Sequence, residues 1–142
     1  MNRYLIISLV FSFSYTFAFT QKKVENFKID YLVKVPNQID GCSGLYTYDT
    51  TALKRKKYII ATDLQDLAFI NINGKLVTLK KISSKELPNK RFSVIYKGNG
   101  YTITLTTKTI KQVDELSQDE GTIEISDNKR KIIIKIHGES GC

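Results

Sequence analysis

Leu67-Ala68-Phe69-Ile70-Asn71-Ile72-Asn73-Gly74-Lys75-Leu76-Val77-Thr78-Leu79 reads as two short apolar runs around an Asn-Gly pair. Asn-Gly is the preferred centre of a two-residue type I′ turn, because both residues there need positive φ. The stretch predicts a tight hairpin with Ala68, Ile70, Ile72, Val77 and Leu79 on one face.

Two further hairpins follow downstream. Phe92 to Lys97 and Tyr101 to Thr107 surround Gly98-Asn99-Gly100. With Asn99-Gly100 as the turn, Phe92, Val94 and Tyr96 share a face with Ile103 and Leu105, while Thr102, Thr104 and Thr106 point the other way. In the third, a turn at Asn128-Lys129 sets Ile123 and Ile125 opposite Ile134 and Ile132. Lys131, Ile133, Lys135 and His137 are then left outside.

Upstream, Tyr31 to Val35, Leu45 to Tyr48 and Tyr58 to Ala61 have the β-branched and aromatic content of strands. The pattern predicts an all-β fold: a small antiparallel barrel, or a sandwich, of about eight strands built from hairpins, since closure limits exposed edges. A barrel is preferred. Lys80 to Lys90, with Ser83-Ser84 and Pro88, reads as a long connecting loop, as does Val113 to Glu120. The chain shows no long 3.6-residue periodicity, no repeat and no low-complexity linker.

Length and targeting frame this domain. The 142 residues suit one domain, because domains commonly run to about 100–150 residues. Arg3 followed by the apolar run Tyr4 to Phe19 reads as a secretory signal, which predicts a signal peptide over 1–20 and a single β domain over 21–142. The run is shorter than the roughly 20 residues a membrane helix needs, and Ser12, Ser14 and Thr16 interrupt it. The expected protein is exported to the periplasm or beyond the cell, with no transmembrane span in its mature part.

In an oxidising compartment the two cysteines, Cys42 and Cys142, are most simply one disulfide. Each lies beside glycine, which suits close backbone approach. A metal-binding alternative would have only His137 as a further soft ligand and lacks Cys-x-x-Cys spacing.

Catalytic ingredients are sparse, and no catalytic residue, metal or cofactor is expected. His137 is the sole histidine, with no serine or cysteine nucleophile marked as its partner. Asp40, Asp49, Asp63 and Asp66 carry no signal of a paired-carboxylate site. Asp114 to Glu120 is acidic but lacks the alternating ligands and central glycine of a calcium loop, so it reads as a solvated connection. Gly98-Asn99-Gly100 lies between two strands and is a turn, not a phosphate cradle.

The formal charge of +8 points to acidic partners or to solubility alone. Lys54-Arg55-Lys56-Lys57 is the densest basic run. Together with Tyr46, Tyr48, Tyr58, Tyr96 and Tyr101 it suggests a basic, aromatic surface for a polysaccharide or another polyanion. The plainer reading has lysines guarding strand edges against aggregation. The partners suggested are a secreted protein or an acidic envelope polymer.

Two resemblances add to this reading. The mature chain, with Gly-Cys-Ser-Gly at 41–44 and Gly-Glu-Ser-Gly-Cys at 138–142, resembles small exported bacterial β-proteins, a likeness that implies no activity. Ala68-Phe69-Ile70-Asn71-Ile72-Asn73-Gly74-Lys75 running to Leu79, and Phe92-Ser93-Val94-Ile95-Tyr96-Lys97-Gly98 leading to Leu105, resemble two hairpins of the periplasmic inhibitors of C-type lysozyme. That resemblance implies an inhibitory contact at Ser84 and Lys97. The family's Ser-Gly-x-x-Tyr loop is absent after Leu79, where Ser83-Ser84-Lys85-Glu86 stands instead, and the cysteine pattern differs. The resulting expectation is a non-enzymatic exported binding or envelope module, with a lysozyme inhibitor or a basic polyanion binder as alternatives.

Overall fold

The computed structural model describes residues 26–142, so the expected signal peptide lies outside the described residues. In chain order the elements are β1 (Ile29–Asp30), β2 (Ser43–Thr47), α1 (Thr50–Lys54), β3 (Ile60–Thr62), β4 (Leu67–Ile72), β5 (Lys75–Leu87), β6 (Arg91–Gly98), β7 (Tyr101–Val113), β8 (Leu116–Ser126) and β9 (Lys131–Gly141). From β2 to β9 each strand pairs antiparallel with the next, and β9 returns to pair with β2. The result is a closed eight-stranded up-and-down barrel, with β1 added beside the end of β4. No helix among the described residues is long and apolar enough to cross a membrane.

The three hairpins have the registers their alternation dictates. Asn73 and Gly74 have φ of 52° and 79°, and Asn99 and Gly100 have 50° and 81°, as type I′ turns require. Ile123 pairs with Ile134 and Ile125 with Ile132 across a four-residue connection, 127–130. There Asp127 Oδ1 accepts from the backbone N–H groups of Lys129 and Arg130. The inward faces merge into one core that includes Ile60, Ile70, Leu79, Ile103, Ile123, Ile125 and Ile136, all almost fully buried.

Several sequence expectations are corrected. Tyr31 to Val35 is not a strand; the chain pairs earlier, at Ile29 and Asp30. Leu32 instead folds onto the outside of the barrel, where it packs with Tyr58 and Ala61 and donates its N–H to Tyr58 O at 2.7 Å. Residues 80–90 are not a loop either. β5 continues to Leu87 through a bulge between Lys81 and Ser83, leaving Pro88-Asn89-Lys90 as the turn. Likewise β7 and β8 meet at Asp114-Glu115. Both extensions are polar because the sheet projects past the apolar core there; Asp119 is their one buried side chain, and pairing persists without an apolar stripe. The short helix α1 was not expected: Asp49 Oδ1 caps it by accepting from Ala52 N at 2.8 Å, a common helix-start arrangement.

The two ends of the barrel differ. At one, Phe27 and Ile29 close the interior, with the Phe27 ring edge-on to Tyr101 at 5.6 Å and the Arg130 guanidinium 4.4 Å above it. The other end carries the β3–β4, β5–β6 and β7–β8 turns and stays open. Here the Cys42–Cys142 disulfide joins the residue before β2 to the residue after β9. It fastens the seam at which the barrel closes.

Candidate functional site

The outer face of β5, β6 and β7 follows from the registers. Lys80, Ser83 and Lys85 of β5, then Arg91, Ser93, Ile95 and Lys97 of β6, lie beside Thr102, Thr104, Thr106 and Lys108 of β7. Lys80 stands directly opposite Lys97, and Arg91 directly opposite Lys108. Like charges placed directly across a strand pair are destabilising. Neither pair has a carboxylate on the outer faces of these three strands: Glu86 pairs with Phe92 on the inward side. Glu120 of β8, opposite Lys108, bounds the patch.

The ion pairs of the described residues join Lys28 to Asp30, Lys81 to Asp66, Arg130 to Asp127 and Lys131 to Glu124. None involves Lys80, Lys85, Arg91, Lys97 or Lys108. The guarding of strand edges does not explain Lys80, Arg91, Lys97 and Lys108, because each stands where its strand is paired on both sides, whereas Lys85 lies on the part of β5 paired with β6 alone. Between the cations the threonine side chains are half-buried, and Thr106 Oγ1 meets Ser93 Oγ at 3.4 Å. The face therefore offers cations and hydroxyl groups on a rigid sheet.

The residues singled out in the sequence are distributed differently. Lys54, Arg55, Lys56 and Lys57 are exposed on the end of α1 and the following turn. α1 packs on β2 and β9, so this run lies across the barrel from β6. Of the tyrosines grouped with that run, Tyr48 and Tyr101 are half-buried, whereas Tyr46, Tyr58 and Tyr96 are buried, and burial is the main reason that the phenols of these three are harder to ionise than usual. Lys57 Nζ does lie 5.6 Å over the ring of Tyr31, at the outer limit for a useful cation–π contact.

Ser84 and Lys97 are not brought together. Ser84 pairs with Val94 and shares its inward side, whereas Lys97, three residues farther along β6, points outward. His137 is half-buried on the outside of β9, opposite Thr47 on β2 and Glu120 on β8. The cysteines are bonded to each other. Among the described residues no group of three or more His, Cys, Asp and Glu side chains is placed to hold a metal ion.

Sequence reasoning missed Asp119. The acidic segment containing it is not a solvated connection: Asp119 is only 4% exposed and faces the barrel interior. Its carboxylate accepts hydrogen bonds from Thr109 Oγ1 at 2.8 Å, Ser140 Oγ at 2.6 Å and, more weakly, the Tyr46 phenol at 3.4 Å. The available signal was alternation, since Asp119 and Gly121 extend the inward set of Ile123 and Ile125.

The open end also contains a cavity of about 100 Å³. Leu64, Phe92, Val94 and Leu105 give it apolar walls, while Lys81, Ser84, Thr62, Tyr96 and Thr107 supply polar groups. Leu64 has φ of 58°, a left-handed conformation that leucine seldom adopts. Asp63 holds the turn by accepting from the backbone N–H groups of Gln65, Asp66 and Leu67, each at 2.9 Å.

Partial burial works to raise the pKa of Asp63, but these backbone donors outweigh it and hold the carboxyl below its ordinary value. A lowered folded pKa means that the stabilisation is present above the unfolded value, about 4. It is lost as pH falls through the folded value. Thermal melts of the protein and of Asp63→Asn are expected to differ near neutral pH and to converge in strong acid. A constant difference across that range would remove the role assigned to the carboxylate.

No family model, curated protein or solved structure matches this chain.

Proposed function

We propose that the protein is an exported, non-enzymatic barrel that binds an acidic polymer of its surroundings along the outer face of β5 to β7. The observation that carries this reading is the direct opposition of Lys80 to Lys97 and Arg91 to Lys108 at positions paired on both sides, where there is no edge to guard. Such pairs cost stability within the fold. A bound polyanion relieves that repulsion, and its negative groups find threonine and serine hydroxyl donors between the cations. A chain that merely needed solubility would be served equally well by cations on its turns.

The test is binding of dextran sulfate, with neutral dextran as the control. Contacts with about four anionic groups give a log–log salt slope of roughly −3, so affinity should fall about 60-fold between 50 and 200 mM salt. Combined Lys80→Gln, Arg91→Gln, Lys97→Gln and Lys108→Gln changes are expected to abolish measurable binding in 150 mM salt while leaving the fold intact. Salt-insensitive binding, equal binding of neutral dextran, or loss only when Lys54 to Lys57 are neutralised would each overturn this assignment.

A further inference from the structure

We infer that the open mouth of the barrel is a separate binding site for a short-chain carboxylate. Eight-stranded barrels are wide enough either to fill with side chains or to hold one small ligand. Here the interior is filled up to the level of Val94 and Leu105, and the cavity begins there. Its floor and walls call for a guest with a hydrocarbon end and an oxygen-bearing end.

Three observations define that guest. Thr62 is fully buried and lines the cavity, yet its hydroxyl makes no hydrogen bond of acceptable length and angle, although the Tyr96 phenol is nearby. Among the described residues lining the cavity Lys81 is the one charged side chain, and its partner, Asp66, is 3.7 Å away and mostly exposed. Tyr96 remains protonated because burial pushes its pKa up to about 12, so it is available as a donor. A cation and several hydroxyl groups, with no carboxylate among the described lining residues, suit an anionic oxygen ligand.

The apolar walls and the size supply the rest. An apolar cavity of about 150 Å³ takes a guest the size of benzene, so 100 Å³ suits a chain of about four carbons. Phe92 and Leu64 stand half exposed at the rim. Leu64 is held there in its unfavourable backbone conformation by the three hydrogen bonds to Asp63. Strain of this kind persists where the surrounding structure enforces it, and it clusters at ligand clamps.

The site is tested by nuclear magnetic resonance titration of the full chain with acetate, butyrate, octanoate and 1-butanol. Butyrate should give saturable shifts at Lys81, Ser84, Tyr96 and Thr107 with affinity in the millimolar range, on the order expected for so few atoms. Acetate and octanoate should bind more weakly, and butanol about tenfold more weakly, because it lacks the charge-assisted bond to Lys81. Val94→Phe should fill the cavity and abolish the shifts. Lys81→Met, which keeps the length of the side chain and removes its charge, should reduce butyrate to the level of butanol. The four substitutions on the outer face should leave butyrate binding unchanged. Absence of saturation with butyrate, or saturation that survives Lys81→Met, would overturn the assignment.

Discussion

Replacing Cys42 and Cys142 together by serine is expected to lower the melting temperature by roughly 15–20 °C, for a stability loss of about 4–5 kcal/mol. The bridge spans 100 residues of sequence, so without it the unfolded chain regains the freedom of a very large loop. In the native state it flanks β2, whose five residues hold one side of the closing seam against β9. Without the covalent tie, the ends of both strands can fray where Ser43 meets Gly141. Thermal melts of the double variant and of the reduced parent check this. A shift of only a few degrees in both would show that hydrogen bonding alone secures the seam.

Gly121→Ala should be the most damaging of the small substitutions, with a loss on the order of 3–5 kcal/mol or outright failure to fold. Gly121 lies on β8 between Thr107 of β7 and Ile136 of β9. A Cβ added there would stand 1.9 Å from the backbone oxygen of Thr106. Backbone cannot turn aside as a flexible side chain can, so the two strands must part at that point. Gly74→Ala is the matched control: its added Cβ meets nothing, but φ is 79°. The cost there should be only about 1 kcal/mol, from the left-handed conformation. Urea denaturation separates the two cases, and equal losses would refute the steric account.

The hairpins were legible because Asn-Gly fixes the turn and apolar alternation fixes the face. Ala68, Ile70, Ile72, Val77 and Leu79 are indeed all buried. Legibility failed where pairing continues without apolar burial. Ser83 to Leu87 and Leu116 to Glu120 carry no apolar stripe, so their strands are visible only through the partners that hold them. Tyr31 to Val35 failed in the opposite sense: it has the composition of a strand, but Leu32 packs against Tyr58 and Ala61 on the outside of the barrel.

The candidate sites were less legible than the fold. Basic runs are conspicuous along a sequence, and Lys54 to Lys57 drew attention for that reason. Lys80, Lys97, Arg91 and Lys108 are scattered in the chain and meet only through the registers of three strands. The mouth depends on contributions from β2, β3, β5, β6 and β7 and on the backbone of one turn. No local pattern could have assembled it.

The meander also orders the steps by which the chain acquires its shape. Every strand pairing in the barrel but one joins neighbours in the sequence, and such pairings can zip outward from their own turns. The exception is β2 with β9, where Ser43 must find Gly141. Search over that distance carries the largest entropic barrier, so the pairing beside the sulfur–sulfur link is expected to form last. A chain unfolded with that link intact starts with its slowest encounter already made.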